Sequence, residues 1–269
     1  MKRQSLQLPP CIASIVGEQR CFDENTIGMS DSSVLIFDDM VLKIEKQCPE
    51  SNQEHTMMKW LQGKVPVPKV LCSTCENGIN YLLMSKADGL MSCSEKYMLQ
   101  PDVLTSALAE SLKVLWSTDI SDCPCLSTID PKLELAEARV KNGLVDPAKC
   151  DPRTFSEEGE GFRDPQDLLD WLKANKPDEE LVLSHGDFCL PNVFLKDGHL
   201  NCFIDLGRCG IGDKWNDIAI LCRSLNSNFR GEYGGRVYDG YRDELLFNHL
   251  GITPDDAKMR YYRLLDELF

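Results

Sequence analysis

The chain of 269 residues is long enough for one large or two small domains, and 42% hydrophobic residues suffice for a sizeable core. Its formal net charge of −14 argues against nucleic acid as a partner, because phosphates would be repelled, and suits a cationic partner. No apolar run approaches the ~20 residues of a membrane helix and no signal-peptide core follows Met1, so the 13 cysteines predict reduced thiols in a cytoplasmic protein without a membrane partner.

Residues 1–85 are rich in short β-forming runs. We predict strands at residues 13–16, 33–37, 41–44 and 81–84. A polar loop at residues 28–33 precedes the second strand and has backbone N–H groups that could cover phosphates, although its single glycine makes the pattern weak. Lys43 lies between apolar neighbours of the third strand, where a lysine more often points to solvent than into a site.

One helix interrupts these strands. It is predicted to begin at Ser51, which forms a capping-box pattern with Glu54, and to end at Gly63. Glu54 therefore has a structural role open to it; an ion pair with Lys43 is the functional alternative, and we favour the ion pair. After the last strand, residues 85–89 are predicted to form a hinge whose backbone can bond an adenine edge.

From residue 90 the pattern becomes helical. Apolar side chains at helical spacing predict helices near residues 104–115, 133–140, 164–172, 213–225, 235–250 and 253–268, the last opened by Thr253 and Pro254. Acidic residues cluster at 157–160 and 266–267. Such clusters usually form a solvated surface. Because two of them lie in one lobe, the alternative interpretation is a pocket that binds cations.

The most informative pattern is His-Gly-Asp at residues 185–187, followed by Asn192 and, thirteen residues later, by Asp205. Two short strands flank Asp-Gly at residues 197–198, which predicts a hairpin that brings Asn192 and Asp205 to its open end. Phosphoryl transfer requires oxygen-bearing side chains that place metal ions, a triphosphate and a hydroxyl. Protein kinases use the same spacing: the first Asp faces the acceptor hydroxyl, and the Asn and the second Asp bind Mg²⁺.

This scheme assigns roles to individual residues. Asp187 is the catalytic residue, and Asn192 and Asp205 form the metal site. Lys43 takes the place of the kinase strand lysine that binds the α- and β-phosphates, with Glu54 as its partner. His185 is more consistent with orienting the loop by hydrogen bonding than with acid–base chemistry.

Several other segments point to one family nearly end to end. Residues 60–71, 82–89, 119–124, 203–208 and 264–269 resemble the type III aminoglycoside 3′-phosphotransferases, antibiotic-resistance kinases, and residues 187–192 are more similar to types I and II. The resemblance implies an α+β, protein-kinase-like fold. It has a small β-rich N-lobe with one key helix at residues 1–85, a hinge at about 85–89, and a larger, mainly helical C-lobe at residues 86–269.

The resemblance also implies binding residues that the patterns alone do not show. Ser30 is implied to lie in the phosphate-covering loop, and the backbone of Ser85 and Ala87 to hold the adenine. The residues implied to line or support the aminoglycoside pocket all belong to the C-lobe: Glu157, Glu158, Arg208, Asp266, Glu267 and the terminal carboxylate of Phe269.

We therefore expect a cytoplasmic, Mg²⁺-dependent enzyme that transfers the γ-phosphate of ATP, or alternatively GTP, to the 3′-hydroxyl of aminoglycosides of the kanamycin and neomycin class and so confers resistance. A kinase of another small amine or alcohol, such as choline or a macrolide sugar, is an alternative because the catalytic core is shared. The second alternative is a nucleotide-binding module without catalytic activity. The intact Lys43, Asp187, Asn192 and Asp205 argue against it.

Overall fold

The computed structural model describes residues 8–17, 23–25 and 32–269. Most of the predicted phosphate-covering loop, with Ser30, lies outside the described residues. In the part that is described, a small antiparallel sheet forms one lobe and helices dominate the other, which confirms the predicted α+β, kinase-like fold.

The small lobe is built on a five-stranded antiparallel sheet with strand order β1-β2-β3-β5-β4. Its strands are β1 (Asp23–Asn25), β2 (Ser33–Ile36), β3 (Met40–Lys46), β4 (Val70–Glu76) and β5 (Ile79–Ser85). The predicted strands at residues 33–37, 41–44 and 81–84 are confirmed as β2, β3 and β5. The sequence did not predict β4, because this half-buried strand mixes polar and apolar residues without alternation.

The predicted strand at residues 13–16 was wrong, because Pro10–Val16 forms a helix, α1. Ile12 and Val16 lie four residues apart on its buried face and pack against Leu35 and Leu83 of the sheet. A run this short does not distinguish a helix from a strand by periodicity. The proline at the first helical position was the signal that should have decided it.

The predicted helix of the small lobe, α2, runs over Pro49–Trp60 and begins earlier than predicted. Its N-cap is Cys48: the Cys48 Sγ accepts from the Ser51 N–H at 3.4 Å, and the Ser51 Oγ accepts from the Cys48 N–H at 2.9 Å. The predicted capping box of Ser51 and Glu54 is therefore wrong. Cysteine is not among the usual capping residues, so the sequence pattern did not reveal it.

The large lobe is mainly helical. Its helices are α3 (Glu95–Met98), α4 (Pro101–Trp116), α5 (Ile129–Lys141), α6 (Pro165–Ala174), α7 (Lys214–Phe229), α8 (Asp243–Leu250) and α9 (Asp256–Asp266). Two predicted starts were wrong. The helix expected at about residue 235 begins at Asp243, since four glycines at positions 231, 234, 235 and 240 precede it. The last helix is capped by Asp255 and not by Thr253.

Short strands carry the functional loops of the large lobe. They are β6 (Leu90–Met91), β7 (Leu181–Ser184), β8 (Val193–Lys196), β9 (His199–Phe203) and β10 (Gly210–Asp213). The predicted hairpin is confirmed as β8 and β9, with Asp197 and Gly198 at φ of 52° and 82° in a two-residue turn. At its open end the Ile204 N–H donates to the Asn192 carbonyl oxygen at 3.0 Å, so residues 192 and 205 are held close together.

A continuous apolar core joins the two lobes. Met57 and Met58 of α2 belong to the same buried cluster as Leu108 of α4 and Leu221 of α7. The helix that carries Glu54 is thereby fixed against the lobe that carries Asp187. Within the described ranges, no helix combines the length and the apolar character that crossing a bilayer would require.

Candidate active site

The loop after β7 carries Asp187, and a fully buried carboxylate in α7 holds that loop in place. Asp217 Oδ1 accepts from the Ser184 Oγ and from the Gly186 N–H, both at 3.0 Å. Its Oδ2 accepts from the His185 N–H at 2.8 Å. Three donors on one buried carboxylate fix the backbone immediately before Asp187.

Gly186 cannot be replaced by another residue without displacing this loop. Its φ is 84°, and a Cβ at this position would lie 2.1 Å from the carbonyl oxygen of Arg208. The absence of a side chain therefore lets the catalytic loop approach the segment after Asp205. This close contact explains why the middle residue of the His-Gly-Asp pattern is a glycine.

His185 connects the two halves of the motif. Its Nδ1 accepts from the Asp187 N–H at 3.4 Å, which assigns the ring proton to Nε2, and Nε2 then donates to the carbonyl oxygen of Ile204 at 3.0 Å. The ring is fully buried, with Phe188 and Phe203 packed edge-on against it. With both nitrogens occupied, His185 has the predicted orienting position.

Asn192 contacts Asp187 directly. Its Nδ2 donates to the Asp187 carbonyl oxygen at 3.0 Å and to Asp187 Oδ2 at 3.1 Å, so Asn192 Oδ1 faces elsewhere as an acceptor. Burial raises the pKa of Asp187, and the nearby Asp266 raises it further, whereas Arg208 lowers it. The Asp187 carboxylate is thus oriented by the amide of Asn192, and nearby charges of opposite sign act on its pKa in opposite directions.

Lys43 of β3 lies within reach of three carboxylates. Its Nζ is 2.7 Å from Glu54 Oε2, 3.2 Å from Asp205 Oδ1 and 3.7 Å from Glu45 Oε1. Burial disfavours the charged ammonium, but Glu54, Asp205 and Glu45 outweigh it and raise the pKa of Lys43 well above its ordinary value. Lys43 is therefore a fixed cation, and the ion pair with Glu54 that we favoured is present.

Asp205, the second predicted metal ligand, has an unusual backbone conformation and a charged side chain. Its φ of 60° lies in the left-handed region, which Asp and Asn tolerate better than most residues. The Asp205 side chain is half-exposed. Partial burial opposes ionisation, but the nearby positive charges, Lys43 first among them, lower the pKa of Asp205, so the carboxylate stays charged. Mg²⁺ binds one or two protein carboxylates together with phosphate oxygens and water, so an anionic carboxylate at this position is chemically suited to it.

The raised pKa of Glu45 can be tested by measuring the stability of the protein at two pH values. Burial raises its pKa to about 7, and its Oε1 has no hydrogen-bond partner in the described part of the chain. The folded protein thus holds the proton more tightly than the unfolded chain, and stability declines as pH rises from about 4.5 to about 7. Replacing Glu45 with Gln should raise Tm by about 2–4 °C at pH 8 and leave it nearly unchanged at pH 5.

Thermal melts at the two pH values would check this, with Glu76→Gln at an exposed position of β4 as the control. A Tm increase of equal size at both pH values would show that a neutral packing effect, and not the buried charge, is responsible. A lower Tm at pH 8 would show that the ion pair with Lys43 outweighs the burial of Glu45.

The hinge is held by main-chain bonds on both sides. The Ser85 N–H donates to the Lys69 carbonyl oxygen, and the Ser85 Oγ accepts from the Lys69 N–H, both at 2.9 Å. The Lys86 N–H donates to Asp39. Since its N–H is occupied, the backbone of Ser85 has only its carbonyl to offer to a base edge. The contacts predicted for Ser85 and Ala87 stay predictions.

The end of the chain brings four predicted substrate residues together, but most of their charges are already paired. Asp266 binds Arg208 at 3.3 Å and also pairs with Arg223. Glu267 is buried, lies 3.4 Å from Arg223, and accepts from the Asp151 N–H at 2.9 Å. The ring of Phe269 lies against Arg208, 4.9 Å from its guanidinium carbon. These ion pairs therefore hold the last residues of the chain against α7 and Arg208.

Glu157 and Glu158 are separate from this group. Both are exposed, in the loop between α5 and α6. That loop reaches α9 through Glu160, which binds Arg260 at 2.7 Å and Arg263 at 2.5 Å. Among the residues that the structure describes, no hydrogen bond or ion pair joins Glu157 or Glu158 to the residues at the chain end.

An open cleft lies between the lobes, beside the loop that carries Asp187. Its lining combines α2, α5, the segment after Asp205 and the chain end: Glu50, Gln53, Lys132, Gly186, Arg208, Asp266 and Phe269. It is a place where a ligand would touch both lobes and the residues around Asp187.

Sequence reasoning missed Asp217, Arg223 and Arg139, although each holds a predicted site residue or its neighbour. Asp217 carried a signal, because it is a carboxylate beside Trp215 and Ile218 in an apolar helix, and such a residue needs buried partners. The two arginines carried none. On a helix, an arginine that binds the chain end looks the same in sequence as one exposed to solvent.

Comparisons with known proteins identify the family of the chain. Residues 25–262 match the model of the phosphotransferase enzyme family. An aminoglycoside 3′-phosphotransferase of Enterococcus faecalis is 40% identical, with 98% of this chain and 99% of the relative covered. One of Staphylococcus aureus is 39% identical, with the same coverage. The crystal structure of a type VIII aminoglycoside-3′-phosphotransferase has a TM-score of 0.78 at 23% identity, covering 96% of this chain and 98% of the other, and supports the fold.

Proposed function

Since the chain belongs to the phosphotransferase enzyme family and, within it, to the aminoglycoside 3′-phosphotransferases, we propose that it moves the γ-phosphate of ATP to the 3′-hydroxyl of kanamycin- and neomycin-class aminoglycosides. The supporting observation is the convergence of Asp187, Asn192 and Asp205 with the Lys43–Glu54 ion pair at one site. GTP is the alternative donor.

The nucleotide side of the site is prepared by the small lobe. Glu54 holds Lys43 in place, and the Lys43 ammonium binds phosphate oxygens as a point charge. Asn192 and Asp205 are the residues that would hold Mg²⁺, which neutralises charge on the phosphates when bound. In our proposal the hinge backbone at Ser85 and Ala87 meets the base.

The acceptor side depends on Asp187. Its carboxylate accepts the hydrogen bond of the 3′-hydroxyl and sets the oxygen in line with the γ-phosphorus. A bond forms from that oxygen to phosphorus as the bond to the leaving β-phosphate oxygen breaks. In a loose transition state the hydroxyl proton leaves late, so Asp187 acts mainly by orientation. Arg208 favours the ionised form that this role requires.

The cationic drug would be held by the carboxylates of the large lobe. Glu157 and Glu158 are exposed and offer free charge to ammonium groups, whereas Asp266 and Glu267 are shared with arginines. A close pair is worth up to ~4 kcal/mol at an effective dielectric of 20 and less where solvent screens it. We propose that Glu157 and Glu158 attract the cationic drug by charge, whereas the residues at the chain end determine the shape of its binding site.

Phosphorylation would confer resistance by adding negative charge and bulk to a drug that binds through its positive charges. The reaction consumes a nucleoside triphosphate, which is an intracellular metabolite. We therefore place the enzyme in the cytoplasm.

The experiment that tests the proposed function compares two drugs that differ at the reacting position. Kanamycin should be phosphorylated at its 3′-hydroxyl, whereas tobramycin, which lacks that hydroxyl, should bind through the same charges and inhibit. ADP release measures turnover, and ³¹P NMR of the product locates the phosphate. The Asp187→Asn protein serves as the control for contaminating ATPase.

Rapid turnover of tobramycin would disprove transfer to the 3′-hydroxyl. Turnover of choline or a macrolide without turnover of any aminoglycoside would disprove the substrate class. ADP release that no acceptor stimulates, together with intact nucleotide binding, would indicate a nucleotide-binding module without transferase activity.

A further inference from the structure

Helix α5 holds the end of the chain through one side chain. Arg139 donates from Nε to the Leu268 carbonyl oxygen at 2.8 Å and from a terminal nitrogen to the main-chain oxygen of Phe269 at 2.7 Å. Its guanidinium carbon is also 5.9 Å from the centre of the Phe269 ring. A planar guanidinium that makes two such bonds fixes both the position and the direction of the last residues.

The contact continues from Phe269 to the cleft. Arg208 also contacts Phe269: its guanidinium carbon lies 4.9 Å from the Phe269 ring centre, and its nitrogen binds Asp266 at 3.3 Å. Phe269, Arg208 and Asp266 all line the cleft between the lobes, whereas Arg139 does not. Arg139 therefore reaches the cleft only through the residue that it holds.

The charges at the chain end nearly cancel. Arg208 and Arg223 bind Asp266 and Glu267, and Arg139 binds the terminal residue. The chain end therefore contributes shape to the cleft more than net negative charge. Removing Arg139 would add one negative charge, which solvent screens, but it would also free Phe269 to move. We expect the loss of position to outweigh the added attraction.

We propose that Arg139 is a positioning residue that sets aminoglycoside affinity by clamping Phe269 against Arg208. This inference rests on the proposed function, because it concerns the acceptor of that reaction. Nothing in the clamp touches Lys43 or the hinge, so nucleotide binding should not depend on it.

The kinetic test compares Arg139→Met and Arg139→Lys with wild type. Arg139→Met should raise the KM for kanamycin roughly tenfold, equivalent to about 1.4 kcal/mol, with the KM for ATP unchanged. Arg139→Lys, which can make only one of the two bonds, should restore part of the affinity. Lys141→Met is the matched control, since it removes the same charge from the same helix at a residue that pairs only with Glu137 in the described structure.

A second readout does not depend on catalysis. Carboxypeptidase A should release Phe269 from the 269-residue Arg139→Met chain at least several-fold faster than from wild type or Lys141→Met, because the clamp covers the main chain at Leu268 and Phe269. If wild type phosphorylates no aminoglycoside, the proposed function fails and the affinity role fails with it, while the release rate still decides whether the clamp exists.

Two outcomes would overturn the inference for an active enzyme. One is a wild-type kanamycin KM in Arg139→Met together with an unchanged rate of phenylalanine release. The other is an equal rise in the KM for kanamycin and for ATP with a lowered Tm, since that pattern indicates general loss of structure.

Discussion

Asp187→Asn should lower kcat for kanamycin phosphorylation by about 10²- to 10⁴-fold, the range that a positioned acid–base group contributes. The amide keeps an oxygen for the bond from Asn192 Nδ2, so the loop should stay folded. It loses the negative charge that orients the acceptor hydroxyl and stabilises its proton. Because the change acts in the transition state, the Kd values for nucleotide and drug should stay within about twofold of wild type.

The matched control for this substitution is Asp197→Asn. It makes the same change of carboxylate to amide in the hairpin that follows the loop, at an exposed turn residue. Calorimetric titration would give the two Kd values, and single-turnover rates would isolate the chemical step. If Asp187→Asn keeps more than about a tenth of wild-type kcat, the loss is under ~1.4 kcal/mol and Asp187 is not the catalytic residue.

The two carboxylates of the motif differ in their surroundings in a way that fits their roles. Asp187 is half-buried and Asp205 is exposed. Lys43 lowers the pKa of Asp205, whereas Asp266 adds to the effect of burial and raises that of Asp187. Paired carboxylates whose pKa values are pushed apart are typical of sites that divide two tasks. In the proposed mechanism, Asp205 stays an anion that can hold a metal cation, and Asp187 responds to the acceptor hydroxyl.

Those parts of the site that the sequence predicted are local. The spacing from Asp187 to Asn192 and the Asp-Gly turn of the hairpin determine which groups meet within one short segment. The Lys43–Glu54 pair, eleven residues apart, was predicted by analogy with the same order of elements in kinases.

The parts that the sequence did not predict depend on distant neighbours. Asp217 lies some thirty residues from the loop that it anchors, and Arg139 lies 130 residues from Phe269. Propensity and periodicity describe segments of a few turns and do not specify which segments meet. The same limit explains α1, whose short apolar pattern takes its helical form against Leu35 and Leu83.

We expect that the activity lost on replacing Asp205 cannot be restored by adding metal. Asp205→Asn should lower kcat/KM by at least about 10³-fold, since charge stabilisation by a bound metal is worth several kcal/mol. Asn is the informative choice because position 205 has a φ of 60°, where Ala would add backbone strain. Asp197→Asn again serves as the control, because its φ is 52° and it carries no predicted ligand role.

The decisive measurement is turnover as a function of Mg²⁺ and Mn²⁺ concentration. Asp205 also lies 3.2 Å from Lys43, so its loss leaves Lys43 with Glu54 as its hydrogen-bonded carboxylate and should alter the phosphate site only slightly. A rate that stays low at saturating metal, with nucleotide still bound, supports direct ligation by Asp205. Recovery of the wild-type rate at high Mg²⁺ would instead show that Asp205 only adjusts metal affinity, and Asn192 with the phosphates would then suffice to hold the ion.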